Sequence, residues 1–129
     1  MHTHLENARI KSHVYVQHPA KWISLVKEIK TTTAPALIIL PVSFYYSVSI
    51  EDMKSKTRMR PIVVARQMSF YMLRRFTELS LHDIGKLFGD RDHTTVIHGL
   101  NTIRDLASTD KRIDRDITIL TEKIKDYIS

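Results

Sequence analysis

Apolar residues in this 129-residue chain recur mostly every three or four positions, the spacing of helices that bury one face. Residues 1–18 lack that period and read as an irregular lead-in. From Pro19, the residues Trp22, Leu25, Val26 and Ile29 repeat at helical spacing as far as Lys30, predicting a short amphipathic helix. Thr31, Thr32 and Thr33 interrupt the pattern, after which Thr33 can cap and Pro35 can open an apolar segment reaching Tyr46. Ile38, Val42 and Tyr45 share a helix face there. Pro41 sits mid-segment, lacks a backbone donor and should kink or split a helix, with a strand as the alternative.

Ser49 with Asp52 three residues on is a capping arrangement that predicts a helix of one or two turns, and residues 54–60 follow as a basic loop. Pro61 then opens the longest helical pattern, led by Ile62, with Ala65, Met68, Met72 and Phe76 as its stripe; Met and aromatic residues at this spacing belong to a core. Ser80 and Asp83 cap a short helix carrying Leu81, Ile84, Leu87 and Phe88 that ends at Gly89. Asp92 caps the next helix, with Val96, Leu100, Ile103 and Ala107 inward. Asp110 caps the last, whose face is Ile113, Ile117, Leu120, Ile124 and Tyr127. The expected fold is all-α: a compact helical domain over residues 34–129 with a long connecting helix, preceded by a short helical extension over residues 1–33.

With 43% hydrophobic and 26% charged residues the chain has an ordinary globular composition, so it should fold without staples. It has no Cys, which removes thiol chemistry, disulfides and thiolate metal sites. The longest apolar stretch, residues 34–42, is far too short to span a bilayer, and the first eleven residues lack a secretion signal, so a cytoplasmic location is expected. Its three glycines, Gly85, Gly89 and Gly99, form neither a dinucleotide fingerprint nor a phosphate-binding loop, so ATP hydrolysis is not expected. His2, His4, His13 and His18 lack the spacing of a metal site, and His93 and His98, five apart, diverge on a helix. No cluster forms a nucleophile, general-base or metal constellation; the reading is a non-enzyme without cofactor or metal.

The net charge of +6 is uneven: residues 51–75 hold Lys54, Lys56, Arg58, Arg60, Arg66, Arg74 and Arg75 against Glu51 and Asp52 alone. A localised basic patch is the footprint of a polyanion partner, although a solvated basic face gives the same pattern. Chemistry at residues 80–107 narrows the choice. A short helix, a turn with Gly and a second helix form a helix-turn-helix candidate. The second helix begins with Asp92, His93, Thr94 and Thr95, short polar side chains at the end that enters a major groove. Asp accepts from cytosine N4, His donates or accepts, and Thr offers a hydroxyl and a methyl. By spacing alone, a capped helix with three surface polar residues accounts for them equally well.

The run Gly89-Asp90-Arg91-Asp92-His93-Thr94-Thr95-Val96-Ile97-His98 resembles the signature of the C-terminal DNA-binding domain of the bacterial replication initiator DnaA family. The likeness extends through Ser80-Leu81, Ile84-Gly85, Phe88-Gly89, Arg66-Gln67, the loop from Ser55 to Arg60, Tyr45-Tyr46 and Glu51-Asp52, covering residues 36–128 and nothing earlier. The resemblance implies a monomer that binds one short A·T-rich duplex box. It puts Asp92, His93, Thr94 and Thr95 on bases, His98 at the backbone or groove edge, and Arg58 in the adjacent minor groove, whose negative potential suits a cation. It puts Arg66 and Gln67 on base and phosphate, Arg74 on phosphate where the family has Lys, and Arg60 in support of the loop. Lys56, Leu81 and His82 complete the set. Asp90 stands where the family has Gly, His82 where Pro is common, Gly99 where a small helix former is usual, and Pro41 in a helix the family keeps continuous.

Among the expectations that follow from the resemblance is that the ATPase module, which precedes this domain in the full initiator, is absent here. The expectation is therefore a stand-alone reader of double-stranded DNA, nucleoid-associated, that titrates or occludes initiator boxes or regulates replication or transcription near them. The alternative is an adaptor in which residues 1–33, through Trp22, Val26 and Ile29, carry a protein partner to origin DNA.

Overall fold

The computed structural model describes residues 34–128. The helix expected over residues 19–30, the cap at Thr33, His2, His4, His13 and His18, and the partner-docking role of residues 1–33 lie outside the described residues. Six helices and no strand are found among the described residues: α1 (Ala34–Tyr46), α2 (Ile50–Lys54), α3 (Arg60–Phe76), α4 (Leu81–Leu87), α5 (His93–Thr109) and α6 (Lys111–Ile128). The fold is all-α, as the hydrophobic period predicts.

Capping sets where four helices begin, the last of them through Asp110 Oδ1, which accepts from the Arg112 N–H at 2.9 Å. Ser49 Oγ accepts from the Asp52 N–H at 3.0 Å, Ser80 Oγ from the Asp83 N–H at 3.1 Å, and Asp92 Oδ1 from the Thr94 N–H at 3.1 Å. Each bond satisfies one of the amides that the first turn leaves without an intrahelical acceptor. Helix α3 starts without a side-chain cap and carries Pro61 in its first turn, where the missing N–H costs nothing.

Packing closes a ring. Helix α3 lies between α1 and α5, α6 touches both α5 and α1, α2 rests on α3 and α1, and α4 rests on α5 and α3. The core joins Leu37, Ile38 and Val42 of α1 to Met68, Phe70, Met72 and Leu73 of α3, Val96, Leu100 and Ile103 of α5, and Ile117, Leu120 and Ile124 of α6. The Met stripe is core, as its spacing predicts. Phe88, at the end of α4, meets Phe70 edge-to-face at 5.2 Å between ring centroids and ties the short helix to the centre.

The chain departs from expectation at Pro41: α1 runs unbroken through it and is neither split nor a strand. Pro41 is buried, and Leu37, Ile38, Ile39 and Val42 around it are all at most 6% exposed. Burying a Val, Leu or Ile side chain yields about 1.5–3 kcal/mol each, so the cluster outweighs the roughly 3 kcal/mol that an interior proline costs a helix. At its far end α1 is pinned to α6, because the Tyr45 and Tyr46 hydroxyls donate to the two oxygens of Asp116 at 2.5 and 2.8 Å. Burial, then the bond to Asp116, pushes Tyr45 up to about 12 and Tyr46 higher still, so both hydroxyls keep the proton they donate.

Gly99 lies at the crossing of α5 over α3. A Cβ there would stand 2.8 Å from Phe70 Cδ2 and 3.2 Å from Gln67 Cγ, so the glycine is what lets the helices approach this closely. Helix propensity favours Ala over Gly by about 1 kcal/mol, whereas overpacking costs about 1–3 kcal/mol. Gly99→Ala is therefore expected to lower the thermal midpoint by several degrees. A raised midpoint in a calorimetric scan would show that α3 yields at the crossing.

Candidate nucleic-acid interface

Helix α5 turns Val96, Gly99, Leu100 and Ile103 inward, so its opposite face must be wet. His93, Thr94, Thr95, Ile97 and His98 are exposed on its first two turns. Asp92 is exposed too, but its Oδ1 caps the helix and lies 3.2 Å from His93 Nδ1. That carboxylate orients the start of α5, and the neighbouring Thr94 and Thr95 remain exposed.

The turn between α4 and α5 is compact because one carbonyl closes it twice. Gly85 O accepts from the Phe88 N–H at 3.1 Å and from the Arg91 N–H at 2.8 Å. Gly89 and Asp90 then take φ of 76° and 55°, reversing the chain through two consecutive left-handed residues. Gly suits that region; Asp is among the few side chains that tolerate it.

The basic loop, residues 55–59, is held beside this turn by two arginines. Arg66, only 6% exposed, donates from Nε to Met53 O at 2.6 Å and from Nη2 to Ser55 O at 3.0 Å and Thr57 O at 3.2 Å. Arg91 donates from Nη2 to Ser55 O at 2.6 Å and from Nη1 to Lys54 O at 3.3 Å and to Phe88 O. Burial lowers both guanidinium pKa values, and the Arg91 charge adds to the effect on Arg66. In consequence Lys56, Arg58 and Thr95 line one concave patch with Gly89, Asp90 and Arg91. A second depression beside it is lined by His82, Lys86, Asp92 and His93.

The residues singled out in the sequence thus fall into two groups. Lys56, Arg58, Arg60, Arg74, His82, His93, Thr94, Thr95 and His98 are exposed, and Leu81 is half-buried. Arg74 Nη1 also donates to Leu79 O at 3.2 Å, across the link to α4. Arg66 and Gln67 differ: the Arg66 guanidinium is committed to backbone carbonyls, and Gln67 Oε1 is buried without a hydrogen-bond partner behind α5. Arg66 nonetheless lines the same concave patch as Lys56, Arg58 and Thr95, and Gln67 is half-buried.

Two residues of this surface escaped the sequence reading. In the sequence Arg91 carries no role beyond its place in the run from Gly89 to His98; its acceptors at Lys54 and Ser55 are 37 and 36 positions away, beyond any local pattern. Ile97, 37% exposed, lies three positions after Thr94 and four after His93, so helical arithmetic alone puts it on their face. Its methyl groups extend the polar patch with a surface suited to thymine methyls.

Asp90 is an exposed carboxylate among these cations. Asp90→Gly removes both an opposing charge and a left-handed side chain, so severalfold tighter duplex binding is expected at low salt, with a smaller gain at high salt. Fluorescence anisotropy at two salt concentrations checks this.

A short helix, a closed turn and a second helix with an exposed polar N-terminal face, flanked by a braced cationic loop, define a helix-turn-helix domain. The chain belongs to the bacterial DnaA protein helix-turn-helix family, whose model matches residues 35–103. It is 40% identical over 97 residues to the chromosomal replication initiator protein DnaA of Bdellovibrio bacteriovorus, covering 75% of this chain and 21% of that one. The corresponding initiator of Flavobacterium psychrophilum is 37% identical over 99 residues, 77% of this chain and 21% of the relative. For Levilactobacillus brevis the figures are 33% over 127 residues, 92% and 28%. The chain thus spans between a fifth and three tenths of the length of these curated relatives. The last match covers too much of the chain to stop at residue 36, and so extends the likeness into the first 33 residues. Among the described residues no helix is long and apolar enough to cross a membrane.

Proposed function

We propose that this chain is a sequence-specific binder of double-stranded DNA that recognises a short A·T-rich box of the replication-initiator type, as a monomer and without ATPase activity. In this reading it occupies or titrates such boxes and so regulates replication or transcription near them, in the cytoplasm and associated with the nucleoid. One observation carries the reading: the exposed face of α5 with His93, Thr94, Thr95 and His98 lies beside the exposed cations Lys56 and Arg58, with Thr95 and the loop in one concavity. A polar helix face of this kind suits base edges in a major groove, and a cationic loop beside it suits the phosphates and the narrow minor groove alongside. Arg58 is the side chain assigned to that minor groove. His93, Thr94 and Thr95 take the bases, and His98 and Arg74 take phosphates. Arg66 lines the same concavity and holds the loop, and Gln67 lies against Gly99 of α5.

Residues 34–129 are proposed as the binding unit. Selection of bound duplexes from a random pool identifies the box, and titration on it measures how many counterions are released. For about five phosphate contacts the slope of log K against log salt is expected near −4 to −5, with the same slope for residues 34–129 alone. A slope near zero defeats the nucleic-acid reading.

A further inference from the structure

The two grooves that the proposed function assigns are served by elements far apart in sequence: the loop at residues 55–59 and the first turns of α5. What joins them is Arg91. Its guanidinium spans the gap, with Nη1 on Phe88 O and Lys54 O and Nη2 on Ser55 O at 2.6 Å. Its own N–H is fixed on Gly85 O at 2.8 Å, so the side chain springs from the rigid part of the turn. Arg66 braces the same loop from α3, through Ser55 O and Thr57 O. Gly89 packs close as well: a Cβ there would stand 2.4 Å from Lys54 O. The acceptors are main-chain carbonyls and so hold the loop's path whatever its side chains.

We infer that Arg91 is a positioning residue that welds the minor-groove loop to the helix-turn-helix, so that the two contacts are read as one unit at a single spacing along the duplex. The inference rests on the proposed DNA reading and adds to it a rule of specificity. A chain with two independent contacts would tolerate changes in the distance between their subsites. This one must reject them, because moving Arg58 relative to Thr95 means breaking several hydrogen bonds from one planar fork. Arg suits the role and Lys does not, since a single ammonium on a flexible stem cannot hold three carbonyls lying on both sides of the gap.

The test is a double-mutant cycle on the selected box with the full chain: wild type, Arg58→Ala, Arg91→Lys and the double variant, all compared by anisotropy after thermal melting. Arg58→Ala is expected to cost the wild type about tenfold or more, and less than about threefold in the Arg91→Lys background, where the loop is no longer held. Because Arg91→Lys keeps the charge, binding to random duplex should stay salt-dependent while affinity for the box falls. Equal costs of Arg58→Ala in both backgrounds overturn the inference, as does Arg58→Ala without cost in the wild type. A second measurement needs no change at Arg91: one base pair inserted between the minor-groove step and the bases read by α5 should cost the wild type as much as Arg58→Ala does. Tolerance of the insertion overturns the weld even if Arg91→Lys fails to fold. Absence of salt-dependent duplex binding by the wild type would instead remove the proposed function, so the two failures are distinguishable.

Discussion

Gly85→Ala is expected to lower stability by about 3 kcal/mol or more, with loss of DNA binding at temperatures where the wild type is folded. A Cβ at this position would lie 2.0 Å from the Arg91 carbonyl oxygen and 3.0 Å from its carbonyl carbon. Both are backbone atoms, so no rotamer change relieves the clash. Nor can the turn step aside, since the Gly85 carbonyl accepts from Phe88 and Arg91 together and Arg91 in turn holds the loop. Displacing it forfeits these bonds at about 1 kcal/mol each. Against a total stability of about 5–15 kcal/mol this is a large fraction, equivalent to a drop of about 12 °C or more in the thermal midpoint of a domain of this size. The sign is diagnostic, because helix propensity alone favours Ala over Gly by about 1 kcal/mol. Urea and thermal unfolding decide the matter: a midpoint equal to or above wild type would mean that the turn does not close on Gly85.

Thr95→Ala and Arg74→Ala are expected to weaken DNA binding in different ways. Thr95 is exposed and lies in the concavity that joins α5 to the loop, and its loss removes a hydroxyl and a methyl from a proposed base edge. Affinity for the selected box should fall by about 1–3 kcal/mol, discrimination should relax at one or two positions, and binding to random duplex should hardly change. Arg74→Ala instead removes a proposed phosphate contact, so affinity should fall similarly on every sequence and the salt slope should shrink by about one. Each variant needs a melting control. Thr95 sits in the first turn of α5, and Arg74 bonds Leu79 O between α3 and α4. Equal losses on box and random duplex for both folded variants would show that α5 does not read bases.

The placement of helices, their caps and the polar face of α5 were legible because each depends on neighbours within a turn or two. Ser49, Ser80 and Asp92 cap amides two or three residues away. The exposure of His93, Thr94 and His98 follows from the 3.6-residue period once Val96 and Leu100 are turned inward. Ile97 was legible by the same arithmetic. Pro41 does not split its helix as the rule for an isolated helix predicts, because the burial of α1 against α3 and α6 offsets the cost.

By itself the sequence determined an all-α chain, the helix-turn-helix with its polar recognition end, a basic segment beside it and the likeness to the DnaA family. Local propensity, period and capping act over a few residues and need no knowledge of the rest of the chain. Only the tertiary structure decided that Gly85 and Gly99 are contact points between backbone and helix rather than weak helix formers. It alone turned Arg66 from a surface cation into a buried brace, and gave Arg91 carbonyl partners 36 and 37 residues away. Buried guanidinium groups must find acceptors wherever the packed chain presents them, and which carbonyls those are depends on how distant segments meet.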